Sequence, residues 1–375
     1  RIAVAGYYGT GVLLYDGQAI LSAAHLVAGA GDSATVHFET SAGQTSLAAA
    51  AISVNPAYET VNSNNDLALL WLAASAPVQA ERYTLYRGSD EIGKNFAFAG
   101  YGTPGTGSGG EDGSVTAYYR LKAENRFDAD TATLLTYLRD EMAWTPESGT
   151  QLVADFDNGS ASQDALGLLI QQPDGGLGNA EGITTPGDSG GPAFIGGQVA
   201  GIASYGASLA SATSHPDSDD TINGTYGEIA SWARVSHYQQ WIDQSLRAHY
   251  TDAPTRPEDV QKTLAEGNSG TSRTYFMVEF HGEHTDPNVE VQVDYRTRDG
   301  TAEAGTDYLA AGGTLVFYPG ESRVVIPVEI IGDTLPEPDE TFSLEIYNPV
   351  GGSFADGQVV LAAIRTILSD DGWMG

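Results

Sequence analysis

The chain has 375 residues, no cysteine and a formal net charge of −32 at pH 7, because 49 acidic residues outnumber 17 lysines and arginines. This length accommodates two or three domains, and no disulfide can contribute to stability. The acidic balance excludes nucleic acid and anionic membranes as partners. It suits salt-rich water, where screening relieves self-repulsion, or a calcium-rich exterior, although solubility alone would also explain it.

Short apolar segments separated by turns predict an all-β protein. Hydrophobic residues make up 41% of the chain and 46 glycines punctuate it, which is typical of many short strands. No apolar run approaches the ~18 residues of a membrane span, and no signal peptide is visible. The lack of cysteine fits a bacterial exported protein, so a secreted, extracellular location is expected. The oligomeric state is not indicated.

The first candidate for chemistry is a histidine that follows an apolar segment. Residues 19–27 read Ala-Ile-Leu-Ser-Ala-Ala-His-Leu-Val, which predicts a short buried strand ending just before His25. A core histidine satisfied by the backbone is the commoner explanation for such a residue taken alone. The other histidines lie in polar or strand-surface contexts, so His25 is the candidate base.

An aspartate stands at the start of the next strongly apolar run. Asp66 directly precedes Leu67-Ala68-Leu69-Leu70, so its carboxylate is expected to be half-buried. Such a residue could simply begin a strand. It could equally accept a hydrogen bond from a histidine, fix the tautomer of its ring and stabilise its charged form.

Oxygen-bearing side chains recur further along the chain. Asp155, Asp157, Asn158 and Asp164 are spaced in the manner of the oxygen ligands of a calcium loop. The full EF-hand spacing is absent, so the sequence favours an acidic turn.

The motif at residues 187–192 reads Gly-Asp-Ser-Gly-Gly-Pro. Its glycines and proline exclude a helix interior and a central strand, and predict a tight loop that presents Ser189. The N–H groups of Gly187 and Ser189 can then converge beside the hydroxyl, which provides a nucleophile and an oxyanion hole. A glycine-rich turn explains this motif equally well when it is taken alone. The order His25, Asp66, Ser189 is also that of the chymotrypsin triad, and the joint pattern predicts catalysis.

Residues 1 to about 250 resemble a trypsin-like (chymotrypsin-fold) serine protease. The resemblance rests on residues 22–25, 65–69 and 187–192, with two further matches at 201–206 and 234–242. It implies two antiparallel β-barrels, approximately 1–110 and 111–250. It also implies an active site between them that hydrolyses protein or peptide substrates.

The resemblance leaves the partner of one aspartate open. In activated members of the family the new N-terminus pairs with the aspartate before the nucleophile, which is Asp188 here. The stretch upstream of Gly11 is too short to play that part in the same way, so a zymogen is one interpretation of the chain.

The resemblance also identifies candidate substrate-binding residues. The base of the family's primary pocket lies six residues before the nucleophile, at Ile183, and the strand that lines the substrate channel contributes Ser204, Tyr205 and Gly206. An isoleucine offers no partner to a buried lysine or arginine, whose desolvation would cost several kcal/mol. An apolar residue is therefore expected on the N-terminal side of the cleaved bond (P1).

A helix is predicted over residues 238–250, and the two prolines within 251–257 indicate an extended linker. Regularly spaced strands then predict a small antiparallel sandwich. The segments 299–308, 313–321 and 337–342 resemble a Calx-β domain spanning 258–372.

That resemblance implies Ca²⁺ bound by loop carboxylates at one end of the sandwich, in keeping with the preference of this cation for oxygen ligands. The expected ligands are Glu266, Asp299, Asp333, Glu337, Asp370 and Asp371. Some Calx-β domains bind no calcium, and Gly332 stands where strong binders often have a further aspartate.

The sequence thus predicts a secreted serine endopeptidase with an accessory calcium-binding or interaction domain. The alternative is a calcium-dependent adhesion or matrix protein that uses an inactive or zymogen-like protease scaffold.

Overall fold

The computed structural model describes residues 1–29, 33–115 and 119–371. The chain divides into two compact units. The first comprises Arg1–Leu14, Gln18–Ala74 and Glu81–Ile242, and the second comprises Tyr15–Gly17, Ser75–Ala80 and Asp243–Gly375. The predicted bounds of protease region, linker and Calx-β region stay predictions.

The first unit begins with an antiparallel sheet that curls into a half-barrel. Its strands are β1 (Ile2–Val4), β2 (Tyr7–Gly9), β3 (Val12–Leu13), β4 (Ala19–Ser22), β5 (Ala34–Thr40), β6 (Gly43–Val54) and β7 (Ala68–Leu72). They lie in the order β2-β1-β5-β6-β7-β4-β3. The long strand β6 has a register shift against β7 between Ala49 and Ala51, and such an irregularity bends a strand and helps the sheet to curl.

A second curled antiparallel half-barrel follows in the same unit. Strands β8 to β16 are Asn95–Gly100, Gly105–Thr106, Gly110–Glu111, Leu121–Arg126, Ala129–Asp130, Gln151–Asp155, Pro192–Ile195, Gln198–Ala207 and Ile229–Arg234. The sheet order is β11-β8-β14-β15-β16-β13-β12, and β9 and β10 pair separately. Its core contains Phe96 stacked on Phe127 at 3.9 Å, with Trp232 edge-on to both rings.

Within the described residues, the α-helices lie between the strands of the first unit or directly after its last strand, β16. They are α1 (Ala24–Val27), α2 (Thr131–Leu138), α3 (Ala165–Ile170) and α4 (Val235–His249), with single 3₁₀ turns at Gly178–Ala180, Pro257–Asp259 and Ala355–Gly357. Asp130 and Asp164 cap α2 and α3 by accepting backbone N–H bonds. None of the helices in the described ranges has the length and apolar character that a bilayer crossing requires.

The second unit contains a β-sandwich. Strands β17 to β23 are Thr263–Ala265, Thr271–Glu279, Val291–Asp299, Gly312–Phe317, Arg323–Ile331, Glu340–Val350 and Val360–Leu368. One sheet has the order β17-β23-β22-β19-β20 and the other pairs β18 with β21. Tyr308 stacks on Phe342 at 4.3 Å in the core. The predicted all-β class is confirmed. One strand pair departs from the expected antiparallel sandwich, since the first strand, β17, runs parallel to the last strand, β23.

Candidate active site

His25 and Asp66 are brought together by the pairing of β4 with β7. Ser22 at the end of β4 lies opposite Ala68 at the start of β7, so the residues beyond these strand ends are neighbours. The Nδ1 atom of His25 lies 2.7 Å from Oδ2 of Asp66. The backbone N–H of His25 also donates to Oδ1 of Asp66 at 2.8 Å. Asp66 is buried, whereas the His25 side chain keeps 32% of its surface exposed.

A third donor reaches Asp66 from the second half-barrel. The hydroxyl of Ser204, on β15, donates to Oδ2 of Asp66 at 2.5 Å. The resemblance assigned Ser204 to the substrate channel, and in the structure its side chain contacts Asp66 of the candidate triad. Asp66 was expected to be half-buried but is only 1% exposed, because both half-barrels cover it.

The loop that carries Ser189 is held by its carbonyl groups. Thr10 donates from its N–H to the Ser189 carbonyl and from its hydroxyl to the Gly187 carbonyl, each at 2.8 Å. Gly187 has φ +107° and Gly190 has φ +79°, which are conformations that glycine adopts most readily. Among the described residues, the N–H groups of Gly187 and Ser189 meet no hydrogen-bond acceptor. Both remain available to an oxyanion.

The loop also packs against the segment that leads to His25. A Cβ atom placed on Gly190 would lie 2.1 Å from Oγ of Ser22 and 2.9 Å from the backbone nitrogen of Ala23. The Gly190 N–H donates to the carbonyl of Ala203 at 2.8 Å. The loop is therefore fixed between β4 and β15, the two strands that also position the partners of Asp66.

Peptide N–H groups satisfy Asp188. Its Oδ1 accepts from the N–H of Gly102 at 2.8 Å and its Oδ2 accepts from the N–H of Thr185 at 3.0 Å. Burial raises the pKa of Asp188, and the bonds from Thr185 and Gly102 oppose that rise. The hydrogen-bond partners of Asp188, which the sequence analysis left open, are thus the backbone N–H groups of Gly102, just after β8, and of Thr185, just before the loop.

The predicted pocket residues lie in different surroundings. Ile183 is 8% exposed and packs with Phe98 and Phe156 in the core of the second half-barrel. It also lines a cavity of about 480 Å³ together with Asp188. Ser189 is not among the described residues that line this cavity. Of the loop residues 187–190, Asp188 lines this cavity.

Gly206 and Tyr205 complete the predicted set. A Cβ atom on Gly206 would make ordinary contact with the exposed Ile222, with 3.6 Å between the carbon atoms. The hydroxyl of Tyr205 donates to Gln151 at 2.7 Å and accepts from the indole N–H of Trp144 at 3.0 Å. The Tyr205 side chain is therefore held by the second half-barrel, and its neighbour Gly206 is half-buried beside Ile222.

The second unit gathers carboxylates into two groups whose oxygens lie within 4.8 Å of one another. They are Glu266 with Asp370 and Asp371, and Asp307 with Glu337 and Glu340. Burial and the nearby carboxylates, with Asp333 first among them, raise the pKa of Glu266 to about 7. Both groups offer only oxygen, as Ca²⁺ requires.

Two of the six expected calcium ligands, Asp299 and Asp333, belong to neither carboxylate group. Asp299 lies outside both groups, since its Oδ1 accepts from the Tyr308 hydroxyl at 2.5 Å and from the Ala304 N–H at 3.0 Å. Asp333 lies near Glu266 but accepts from the N–H of Leu335. The sequence reasoning missed Asp307 and Glu340. Both stand within the segments that suggested the Calx-β resemblance, so the signal was present.

Comparisons with known proteins match two separate parts of the chain. The Trypsin family model matches residues 2–144, a range that contains His25 and Asp66 and ends before Ser189. The Calx-beta domain model matches residues 268–371.

Curated relatives match on the Calx-beta side. Sodium/calcium exchanger 2 of Mus musculus is 34% identical over 153 residues, which cover 34% of this chain and 17% of the exchanger. Sodium/calcium exchanger 1 of Canis lupus familiaris is 47% identical over 73 residues, 20% of this chain and 8% of the exchanger. The Drosophila melanogaster exchanger Calx is 38% identical over 86 residues, 23% and 9% respectively. The chain thus spans less than a fifth of these relatives.

Among solved structures, mouse neuropsin, described as a serine protease expressed in the limbic system of the brain, matches with a TM-score of 0.44 and 18% identity, over 63% of this chain and 87% of that chain. The two family matches lie in separate parts of the sequence. The chain therefore joins a trypsin-family region on its N-terminal side to a Calx-beta domain on its C-terminal side.

Proposed function

We propose that the trypsin-family region is a serine endopeptidase that acts through His25, Asp66 and Ser189. The observation that carries this proposal is the short contact between His25 Nδ1 and Asp66 Oδ2 at 2.7 Å. When Nδ1 donates to a carboxylate, the other ring nitrogen of His25 is left as the base. The loop bearing Ser189 packs directly against the residues before His25.

The proposed mechanism uses groups of this chain alone. The Nε2 atom of His25 takes the proton of the Ser189 hydroxyl as its oxygen attacks the peptide carbonyl, and Asp66 stabilises the charged ring. The N–H groups of Gly187 and Ser189 donate to the oxyanion. His25 then gives the proton to the leaving amine, and a water molecule activated by His25 hydrolyses the acyl-enzyme.

Labelling with a fluorophosphonate probe tests this proposal. We expect wild-type protein to be labelled and Ser189→Ala to remain unlabelled, because the probe reacts only with an activated serine hydroxyl. The variant should keep its melting temperature, since Ser189 is only half-buried. Labelling of the variant would contradict the assignment of Ser189. No labelling of folded wild-type protein would contradict an active triad and favour the scaffold alternative.

We further propose that the enzyme prefers an apolar P1 residue. Ile183 lies in the apolar core of the second half-barrel, and Ile222 stands next to Gly206. Neither offers a partner to a buried cation. Profiling with a mixture of peptides should show cleavage after apolar residues, and cleavage mainly after lysine or arginine would contradict this preference.

We also propose that the Calx-beta domain binds Ca²⁺ through the two carboxylate groups of the second unit. Their chemistry fits the ion, because each group offers three oxygen-bearing acids within 4.8 Å. When bound, the ion would neutralise carboxylates that otherwise raise each other's pKa. It would have no part in the cleavage reaction.

A further inference from the structure

A second set of acids lies buried inside the first unit, away from the candidate triad. Asp155 ends β13, Asp157 follows two residues later, and Asp164 caps α3. Their carboxylate oxygens lie within 4.8 Å of one another, and all three residues are buried. We call these three residues, together with Asp128, the inner acidic cluster. Asp128 belongs to it because its carboxyl interacts with that of Asp155.

Two members of the inner acidic cluster have oxygen atoms without a donor. Asp157 is 3% exposed, and neither of its carboxylate oxygens accepts a hydrogen bond from an N–H or hydroxyl group of the described residues; its carboxyl lies beside that of Asp174. Asp128 is 9% exposed, its Oδ2 likewise lacks such a donor within that part of the chain, and its carboxyl also faces Asp174. A buried carboxylate that lacks both donors and a counter-charge is strongly unfavourable. These oxygens therefore require either protons shared with Asp174 or a cation, because no N–H or hydroxyl donor of the described residues reaches them.

Part of the cluster is already satisfied by the backbone. Oδ2 of Asp155 accepts from the N–H of Leu166 at 2.7 Å, and Oδ1 of Asp164 accepts from the N–H of Gly167 at 2.6 Å. These bonds fix the orientation of two carboxylates and leave each with a second oxygen. The cluster is therefore a rigid arrangement of acids and not a set of mobile surface side chains.

The segment after α3 closes over the cluster. Oε1 of Glu181 accepts from the N–H of Asp157 at 2.7 Å, and its other oxygen accepts from the N–H of Leu177. Asp174 faces Asp128 and forms an ion pair of 3.4 Å with Arg126. Arg126 supplies the positive charge among these contacts, and it pairs with Asp174 and not with a member of the inner acidic cluster. The buried acids thus outnumber the available positive charge.

Protons or a metal ion can neutralise such a group. Burial, followed by the charge of Asp155, raises the pKa of Asp128 to about 10 and that of Asp157 to about 9. A divalent cation would do the same without protonation. The donors are oxygen atoms only, with no histidine or cysteine in the group. This donor set suits Ca²⁺, which takes 6–8 oxygen ligands in flexible geometry, better than softer metals.

We propose that Asp128, Asp155, Asp157 and Asp164 form a calcium site inside the trypsin-family region, separate from the carboxylate groups of the Calx-beta domain. The site joins β13 to the start of α3 and to the segment that precedes Ser189. Calcium bound there would stabilise the second half-barrel whether or not Ser189 is catalytic. The proposal therefore does not rest on the proposed protease activity.

Calcium stoichiometry and thermal stability test this site. The full chain is compared with Asp157→Asn, Asp128→Asn and the control Asp140→Asn, which changes an exposed acid outside the cluster. Each is prepared also with Asp307→Asn and Asp370→Asn to weaken the Calx-beta groups. Equilibrium dialysis against Ca²⁺ gives the equivalents bound. Melting temperatures with Ca²⁺ and with a chelator show whether binding stabilises the fold.

We expect Asp157→Asn and Asp128→Asn each to lose one equivalent of Ca²⁺ and most of the calcium-dependent rise in melting temperature, with Asp140→Asn unchanged. If the cluster is held by protons, Asp157→Asn should keep every equivalent and melt higher than wild type in chelator, which would overturn the proposal. Should both cluster variants fail to fold, the chain altered only at Asp307 and Asp370 decides. A remaining calcium-dependent rise supports the site, and its absence overturns it.

Discussion

Asp66 is the residue on which the candidate triad converges. Three donors reach its two carboxylate oxygens: the ring and backbone of His25 and the hydroxyl of Ser204. Hydrogen bonds to a charged acceptor are stronger than those between neutral groups, by roughly a factor of two. The carboxylate therefore fixes His25 in one orientation and one tautomer.

Replacing Asp66 with asparagine should remove most of the activity. An amide presents one oxygen and one NH₂ group to three donors, so either the His25 ring or its backbone loses its acceptor. In chymotrypsin the corresponding exchange lowers kcat on the order of 10⁴-fold, and we expect a loss of that size in kcat for an apolar-P1 peptide. A loss below about tenfold would contradict the role of Asp66.

Ser204→Ala is the matched comparison for that variant. It removes one donor to Asp66 but leaves both bonds from His25. A hydrogen bond to a charged group contributes about 1.5–3 kcal/mol, so the fall in kcat should be far smaller than in Asp66→Asn. Equal losses in the two variants would mean that Asp66 acts through Ser204 and not through His25.

The proposed calcium ligands of the Calx-beta domain can be tested one by one with single substitutions. Asp307 lies with Glu337 and Glu340, whereas Asp299 is engaged by Tyr308 and Ala304. We expect Asp307→Asn to weaken calcium binding by tenfold or more, on the order of 1.4 kcal/mol, and Asp299→Asn to leave it unchanged. Isothermal titration of the full chain with Ca²⁺ measures both. Weakening by Asp299→Asn alone would favour the sequence-based ligand set.

Local patterns identified His25, Asp66 and Ser189, but not the depth at which they lie. The burial of Asp66 depends on Ser204, which is 138 positions away in the sequence. The partners of Asp188 are peptide N–H groups of Gly102 and Thr185, and backbone donors leave no trace in residue type. The motifs therefore predict a triad of which the structure brings His25 and Asp66 into contact, while long-range packing determines the further partners of Asp66 and Asp188.

At the scale of elements, the glycines of the Ser189 loop can be tested by a matched pair. Gly190 and Gly197 have φ of +79° and +82°, but only Gly190 has neighbours that a Cβ atom would strike. Gly197→Ala should cost about 1–2 kcal/mol of unfolding free energy from backbone strain alone. Gly190→Ala adds the clash with Ser22 and should also slow fluorophosphonate labelling.

Urea unfolding and labelling rates distinguish the two contributions. If both variants lose equal stability and both label at the wild-type rate, the packing of the loop against Ser22 does not position Ser189. A selective loss of labelling in Gly190→Ala is the expected result.

The elements themselves were predicted unevenly. The regularly spaced strands expected for the sandwich correspond to β18 to β22, because apolar residues alternate there and turns separate them. The strand β23 was missed, since its residues 360–364 are exposed and show no buried face. The helix α3 was missed as well. Asp164 was assigned to an acidic turn, although it also caps a helix, and its buried acidic neighbours are Asp155 at the end of β13 and Asp157.

The whole molecule carries far more negative than positive charge. Ion pairs such as Arg234 with the buried Glu91 use some of the 17 basic residues, so that at least 32 of the 49 acids exceed the available positive charge. Like charges at this density repel each other in the folded chain and less so in the expanded unfolded chain. The net charge of −32 is therefore expected to oppose folding at low ionic strength.

Raising the salt concentration should consequently raise the melting temperature. The Debye length falls from about 10 Å at 0.1 M to about 3 Å at 1 M, so repulsion between exposed acids weakens over this range. Salt also screens favourable surface pairs such as Arg256 with Asp259, but these are few and each contributes little. Melting is followed with a chelator present, so that bound calcium does not contribute, and choline chloride replaces sodium chloride as a control for specific sodium binding. An equal rise with both salts identifies screening as the cause, whereas a melting temperature that falls with either salt would mean that the ion pairs outweigh the repulsion between acids.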